Sequence, residues 1–337
     1  MTKNTFDIEV RRSEETPKVS VVIPAYKAGE ALESALNSVT AQTFRSFEVI
    51  VVDDASGDDT VDRAAGILHA TAFDYAVISL KKNGGPANAR NHGVRAARGE
   101  YVAFLDADDE WLPEKLAAQV AIMDSDKTIT LCGCQATWRP TDGSSPYPLY
   151  RNLPDIFPTG WKTLLWNCFI ATPCAVARRS DLGEAPFDLK LRVGEDRDLW
   201  IRLASNGKVA LAHDNLVNIR LSPSSYMASN VLRIKDDIVP MIERHLSAFA
   251  DVLGAKERRL AYGKLSSDIG KALCLSKPDY PRGVSFLLKA AANGYQPFAS
   301  LWYVMLTAPI VRDVKPGLKA MARTMRPEHH SAGPERR

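Results

Sequence analysis

The sequence predicts an α/β protein: a mainly parallel sheet with helices on both faces, followed by a helical C-terminal region. Three observations carry this expectation. Short β-branched runs alternate with helix-patterned segments from residue 19 to about 123. Each run ends in a polar or glycine-rich stretch. From about residue 224 the strand-like runs stop and helical patterns continue.

The elements follow in order. VSVVI (19–23) is β-branched and stops at Pro24, which reads as a strand and then a loop. Within 30–42, Leu32, Ala35, Leu36 and Val39 share one helical face. Residues 47–52 form a second strand that leaves through Asp53, Asp54, Ala55, Ser56 and Gly57, and 58–70 is helical. Residues 75–80 form a third strand followed by Asn83, Gly84, Gly85 and Pro86, with a helix over 87–97. The fourth strand is 101–105, and 113–123 is the next helix, with Pro113 in its first turn. Residues 129–138 read as a strand, 139–160 as a long proline-bearing surface loop, and 172–178 and 208–219 as further strands. Helical breaks fall near Gly254, Lys277-Pro278 and Gly294. The expected organisation is a polar arm over 1–18, an α/β domain over 19–222, a helical region over 223–325 and a basic tail over 326–337, with the boundary near 222–230.

Composition narrows the function classes. The chain has 337 residues, 45% of them hydrophobic and 25% charged, as expected of an ordinary globular protein. A net charge of +3 is too mild to argue for nucleic acid. The N-terminal residues hold no apolar signal-like run, and no uninterrupted apolar stretch reaches the ~20 residues of a membrane-spanning helix. Five cysteines without a CxxC pair fit a reducing, cytoplasmic setting; Cys132 and Cys134 read as buried thiols of a strand.

In a parallel sheet, ligands bind at the carboxyl ends of the strands. The exits Pro24-Ala25-Tyr26, Asp53-Asp54, Asn83-Gly84-Gly85 and Asp106-Ala107-Asp108 should therefore gather along one edge. Asp106 and Asp108 together suit a hard divalent cation, magnesium or manganese, that also holds substrate phosphates. Asp109 and Glu110 read equally as acids at a helix start. Asp53 and Asp54 can accept hydrogen bonds from a ribose or base, or can form an Asx-turn. No GxGxxG follows the first strand, which argues against NAD. Asn83 to Asn91 is a glycine loop running into a helix, a place for phosphate with Arg90 adding charge, or a plain turn.

Five segments occur in order: VSVVIPAY, FEVIVVDDASGDDT, NGGPANARNHG, GEYVAFLDADDEW and GEDRDLWIRLA. Together they resemble the bacterial inverting glycosyltransferases of family 2, which have the GT-A fold, across about residues 17–220. Among these the chain is similar to surface-polysaccharide enzymes such as the rhizobial succinoglycan glucosyltransferases. The resemblance implies roles. Pro24, Ala25 and Tyr26 would line the base pocket. Asp53 would bond uracil, with Asp54 and Ser56 nearby. Asn83, Gly84 and Arg90 would sit beside the sugar nucleotide. Asp106 and Asp108, with Ala107 between them, would be the DxD motif that holds a divalent cation on the diphosphate. Asp196 would be the catalytic base; its other reading, with Glu195, is helix capping. Leu199, Trp200 and Leu203 fall on one helical face behind it, and Trp200 reads as core. Lys27 stands where many relatives have Asn.

The implied reaction moves a sugar, best glucose from UDP-glucose, onto a lipid-linked oligosaccharide with formation of a β-glycosidic bond. The other function class is a catalytically silent GT-A-fold scaffold, whose mark would be loss of Asp106, Asp108 or Asp196; all three are present. Residues 297–311 carry no charge, and 312–337 hold seven Lys/Arg against three Asp/Glu. Peripheral membrane contact through 297–326 is one reading, and a buried helix with a solvated tail is the other.

Overall fold

The computed structural model describes residues 6–149, 156–157, 160–221, 234–274 and 280–307. The chain divides into two compact units: residues up to 161 with 169–225, and 162–168 with the residues from 226 on.

The first unit is built on one sheet. Its parallel centre is β2 (Val19–Ala25), β3 (Phe47–Asp53), β4 (Asp74–Leu80) and β5 (Tyr101–Phe104). Every residue of β2, β3 and β5 is buried, as strands covered on both faces require. The crossover helices are α1 (Gly29–Thr40), α2 (Thr60–His69) and α3 (Pro86–Ala96). The expected apolar face of α1 is buried at Leu32, Ala35, Leu36 and Val39.

Spatial order in this centre is β4-β3-β2-β5. The chain first winds outward from β2 through β3 to β4. Helix α3 then carries it back past β2, so β5 lies on the other side. The winding therefore reverses between β2 and β5, and loops leaving those two strands part to open a crevice. The Pro24-Ala25-Tyr26 and Asp106-Ala107-Asp108 exits flank that point.

The sheet continues through β10 (Val176–Arg178), β7 (Ile129–Pro140) and β11 (Lys208–Leu221) to β6 (Glu110–Trp111). β10 runs antiparallel to both β5 and β7. Among the described residues, helices α4 (Lys115–Ser125), α6 (Arg179–Leu182) and α7 (Glu195–Asn206) complete those that lie wholly within this unit. Cys132 and Cys134 of β7 are buried, as the alternation predicts. Trp200 is core: its ring lies 5.9 Å from Phe104 and 6.4 Å from Phe187, with Leu199 and Leu203 buried on the same helix.

Three segments differ from expectation. The polar arm contains a strand, β1 (Phe6–Arg11), which pairs antiparallel with β4. It reads as polar because an edge strand leaves its middle four residues exposed. Arg11 fastens it by donating to the carbonyls of Thr71 and Phe73, both at 2.6 Å. In 172–178 only the last three residues are extended. Thr172–Cys174 is a single 3₁₀ turn, at the place where Pro173 lacks an N–H for a sheet ladder. The loop over 139–160 holds two short strands, β8 (Tyr147–Pro148) and β9 (Ile156–Phe157), and at its end α5 (Gly160–Trp166) begins.

The second unit is helical. It contains α8 (Ile234–Ala248), α9 (Ala255–Cys274), α10 (Tyr280–Ala292) and α11 (Pro297–Thr307). Gly254 precedes α9, and Gly294, with φ of 76°, separates α10 from α11. Cys274, Leu287 and Tyr303 form a small shared core. The expected boundary near 222–230, the break at Lys277-Pro278 and the tail over 326–337 lie largely or wholly outside the described residues.

One close approach fixes where α3 lies. A Cβ built on Gly93 would stand 2.3 Å from Cγ1 of Val22, so only glycine lets α3 sit this near β2. Gly93→Ala is expected to cost about 1–3 kcal/mol in chemical denaturation. Adding Val22→Ala is expected to recover part of that cost, and a double-mutant cycle with no coupling would contradict the contact.

Candidate active site

The acidic exit of β5 resolves into separate jobs. Asp109 is buried, and its carboxylate accepts a 2.8 Å bond from the Arg220 backbone N–H of β11. Burial and the charges of Asp106 and Asp108 push its pKa well up. Glu110 pairs with Asn218, and Trp111 donates its ring N–H to the Pro173 carbonyl at 2.9 Å. Asp109, Glu110 and Trp111 therefore anchor the turn. Asp106 and Asp108 remain for chemistry. Asp108 touches solvent on one side and is walled by protein on the other; lost solvation first, then neighbouring Asp106, raise its pKa.

Arg90 joins this exit to the start of α7. Its Nη2 donates to Asp106 Oδ1 at 2.6 Å and its Nη1 to Glu195 Oε1 at 2.9 Å. The guanidinium is only 5% exposed, and the Phe187 ring lies 5.5 Å away. The buried surroundings disfavour its charge, but Asp106 and Glu195 more than offset this, and the Arg90 pKa is raised. Glu195 is pushed up to about 7, by burial first and by Asp196 second, with Arg90 pulling the other way.

Asp196 stands next to it, half-buried. It accepts a 3.2 Å bond from the Thr172 hydroxyl and a 2.6 Å bond from the Arg197 N–H. Its pKa is raised, chiefly by burial. Gly194, with φ of 83°, supplies the left-handed residue that turns the chain into α7 and brings Glu195 and Asp196 to its first turn. Gly194, at the N-cap, has no side chain to cap the helix, and the first-turn N–H of Arg197 is taken by Asp196 instead.

The β3 exit is held by its own residues. Ser56 donates its N–H to both Asp53 oxygens at 3.3 Å, and its hydroxyl to Asp53 Oδ1. The Lys27 N–H donates to the Ser56 hydroxyl at 2.8 Å, which ties the β2 loop to the β3 loop. Asp54 accepts the backbone N–H groups of Gly84 and Gly85, at 2.9 and 2.7 Å, while Asn83 donates its side-chain amide to the Asp54 carbonyl at 3.1 Å. Burial raises the Asp54 pKa, and these N–H donors oppose the rise. The two glycine N–H groups that the sequence offers to phosphate are thus engaged by Asp54. Pro24 and Ala25 are buried, Tyr26 is 50% exposed, and Ala107 is partly exposed. Lys27 has φ of 49°, a conformation that Asn tolerates better than Lys.

The structure thus brings Arg90, Asp106 and Glu195 into direct contact, with Asp196 beside Glu195, and sets Asp53, Asp54, Ser56, Asn83 and Gly84 in a second linked group. Sequence reasoning named Arg90 and Glu195 but missed that they pair across 105 positions. It also missed Thr172, whose only signal was a polar residue after an apolar run.

Comparison with known proteins decides the family. The model of glycosyl transferase family 2 matches residues 20–184. A putative teichuronic acid biosynthesis glycosyltransferase of Bacillus subtilis, TuaG, is 30% identical over 219 residues, 63% of this chain and 84% of that protein. The chain belongs to glycosyl transferase family 2.

Other family members are similar. WfaP of Escherichia coli, a UDP-Glc:alpha-D-GlcNAc-diphosphoundecaprenol beta-1,3-glucosyltransferase, is 29% identical over 202 residues, 59% of this chain and 75% of that one. An uncharacterized glycosyltransferase of Rickettsia conorii is 31% identical over 209 residues, and the match spans only 33% of its length. Among solved structures, S. aureus TarS 1–349 with UDP-GlcNAc matches with a TM-score of 0.62 at 19% identity, covering 91% of this chain and 92% of that one. The mannosyltransferase PcManGT of Pyrobaculum calidifontis, solved with GDP-Man and Mn2+, matches at 0.59 and 20%, covering 93% and 88%. The expected GT-A fold with a helical C-terminal region is the fold observed.

The raised Glu195 pKa has a testable sign. The folded state holds this proton to about pH 7, whereas an unfolded Glu releases it near its ordinary value of 4.5. Its contribution is therefore full below that value and is lost as pH rises through about 7. Glu195→Gln is expected to flatten the fall in stability across this window, measured by urea midpoints over pH. An unchanged slope would contradict the burial of Glu195 against Asp196.

Proposed function

We propose that this family 2 glycosyltransferase is an inverting enzyme that moves a sugar from a UDP-sugar onto a lipid-linked oligosaccharide in bacterial exopolysaccharide assembly. The donor that fits the reading best is UDP-glucose, with a β-glycosidic bond formed and a succinoglycan-like product. The observation that carries it is Arg90: one buried guanidinium holds both the DxD aspartate, Asp106, and Glu195, the neighbour of the base Asp196. A donor site and an acceptor-activating group are the two parts that a single-displacement transferase needs. WfaP, by its name, takes UDP-Glc and a diphosphoundecaprenol-linked acceptor, which supports the choice of both substrates.

In this reading the nucleotide base lies against Pro24, Ala25 and Tyr26 at the β2 exit, with Asp53 as its polar partner. Asp54 and Ser56 hold the two loops in register, and Asn83, Gly84 and Arg90 border the sugar nucleotide. Asp106 and Asp108 fit a divalent cation such as Mn2+ or Mg2+. They offer two hard oxygen donors at i and i+2, and the Asp108 pKa is raised by lost solvation first and by neighbouring Asp106 second. Asp106 uses Oδ1 for Arg90. A bound cation would supply Lewis-acid stabilisation of the departing nucleoside diphosphate.

The residues then act as follows. Asp196 removes the proton of an acceptor hydroxyl. That oxygen bonds to the anomeric carbon as the bond from carbon to the diphosphate oxygen breaks on the opposite face. Burial raises the proton affinity of Asp196 and so suits it to general-base work. The Thr172 hydroxyl and the Arg197 N–H fix its carboxylate, and Arg90 keeps Glu195 from displacing it.

Asp196→Asn is expected to lower turnover by about 10²–10⁴-fold while leaving UDP affinity, measured by calorimetry with manganese, near wild type. Asp106→Ala is expected to lose UDP binding. A folded Asp196→Asn protein with wild-type turnover would remove the transferase assignment of this residue. Full UDP binding without transfer to any acceptor, in the wild type, would favour the scaffold reading.

A further inference from the structure

Helix α11 carries an apolar stripe that faces away from its own unit. Phe298, Leu301, Trp302 and Met305 recur at helical spacing and are 87%, 46%, 49% and 55% exposed. The opposite face is the one that packs: Tyr303 is buried with Cys274 and Leu287, and Val304 packs against them. Tyr280 donates its hydroxyl to the Val304 carbonyl at 2.7 Å, which fixes the helix with its stripe outward. Leu288 of α10 is a further exposed apolar residue of this unit, at 50%. Four large apolar side chains aligned on one helix cannot be put down to ordinary scatter of surface residues.

Charge says what covers this face. Residues 255–337 hold 15 Lys and Arg against 6 Asp and Glu, whereas residues 1–254 hold 28 against 34. The chain's small net charge thus conceals a strongly basic end, and the stripe lies inside it. Two copies meeting here would bring like charges together. A nucleic acid would satisfy the charge and leave the apolar stripe in water. An anionic lipid surface satisfies both, with acyl chains for Phe298, Leu301 and Met305 and the headgroup boundary for Trp302. Among the described residues no helix is long and apolar enough to cross a membrane, which leaves docking on the surface as the mode to consider.

We infer that α11 is a docking face for anionic phospholipid bilayers, seated by Phe298, Leu301, Trp302 and Met305 and steered by the basic C-terminal chain. The inference goes beyond the sugar-transfer reading and does not depend on it, because lipid binding is read without nucleotide or acceptor. If both hold, the enzyme meets a lipid-linked acceptor on the surface where that acceptor resides.

The test is sedimentation of the full chain with vesicles of phosphatidylcholine alone and of phosphatidylcholine mixed with phosphatidylglycerol. Binding is expected only to the anionic vesicles and should weaken as salt is raised. A Phe298→Ser, Trp302→Ser double variant, checked for fold by circular dichroism, should bind at least about tenfold more weakly. Leu189→Ser, an exposed position of the first unit, should bind as wild type. No binding of wild type to anionic vesicles overturns the inference, as does equal binding by the double variant. A wild-type dimer that the double variant breaks, with no lipid binding, would assign the face to self-association instead.

Discussion

The buried Arg90 guanidinium is the interaction on which the site depends. A cation at this depth is tolerated only with partners, and it has two carboxylates on different elements. Asp106 comes from the exit of β5, Glu195 from the first turn of α7, and Arg90 itself from α3. Removing Arg90 would leave the buried Glu195 without its cation, and removing either carboxylate would leave the guanidinium with a single partner. That penalty is far larger than the worth of a surface ion pair. The pairing therefore sets α3, the DxD turn and the GED turn in one register before any substrate arrives.

The fold prepares this meeting. Reversal of winding at β2 and β5 opens the crevice, and Gly93 lets α3 approach β2 closely enough for its first turns to reach the β5 exit. Asp109 and Trp111 then pin the acidic turn from behind. Crowded carboxylates repel, and the structure answers with division of labour. One accepts a backbone N–H, one accepts Arg90, and one faces the crevice. Asp108 is the most exposed of the three, and the proposed metal site is built on it together with Asp106.

Much of this was legible in the sequence. The parallel strands announce themselves through β-branched runs, and their exits had to share an edge once the winding was inferred. Asp106 and Asp108 could be picked because acids after an apolar strand need a reason to be there, whereas Asp196 was reached through the family resemblance. Other features were hidden because they are tertiary. Strand β1 looks like a polar arm, since an edge strand is exposed over most of its length. β10 and β6 are two or three residues long, too short to show a period. The local turn in Asp53-Asp54-Ala55-Ser56-Gly57 was foreseen as an alternative. That Asp54 would take the glycine-loop N–H groups 30 positions away was not, because a carboxylate and two amides carry no mark of their pairing.

The central claim is that Arg90 couples the donor site to the base. It is tested most directly by comparing UDP affinity and turnover in wild type, Arg90→Lys, Glu195→Gln and the double variant. Lys keeps the charge but cannot reach two carboxylates with a planar fork. Coupling predicts that Arg90→Lys lowers both affinity and turnover, and that adding Glu195→Gln costs much less than it does in the wild-type background. Independent, additive losses in the double variant would contradict the account.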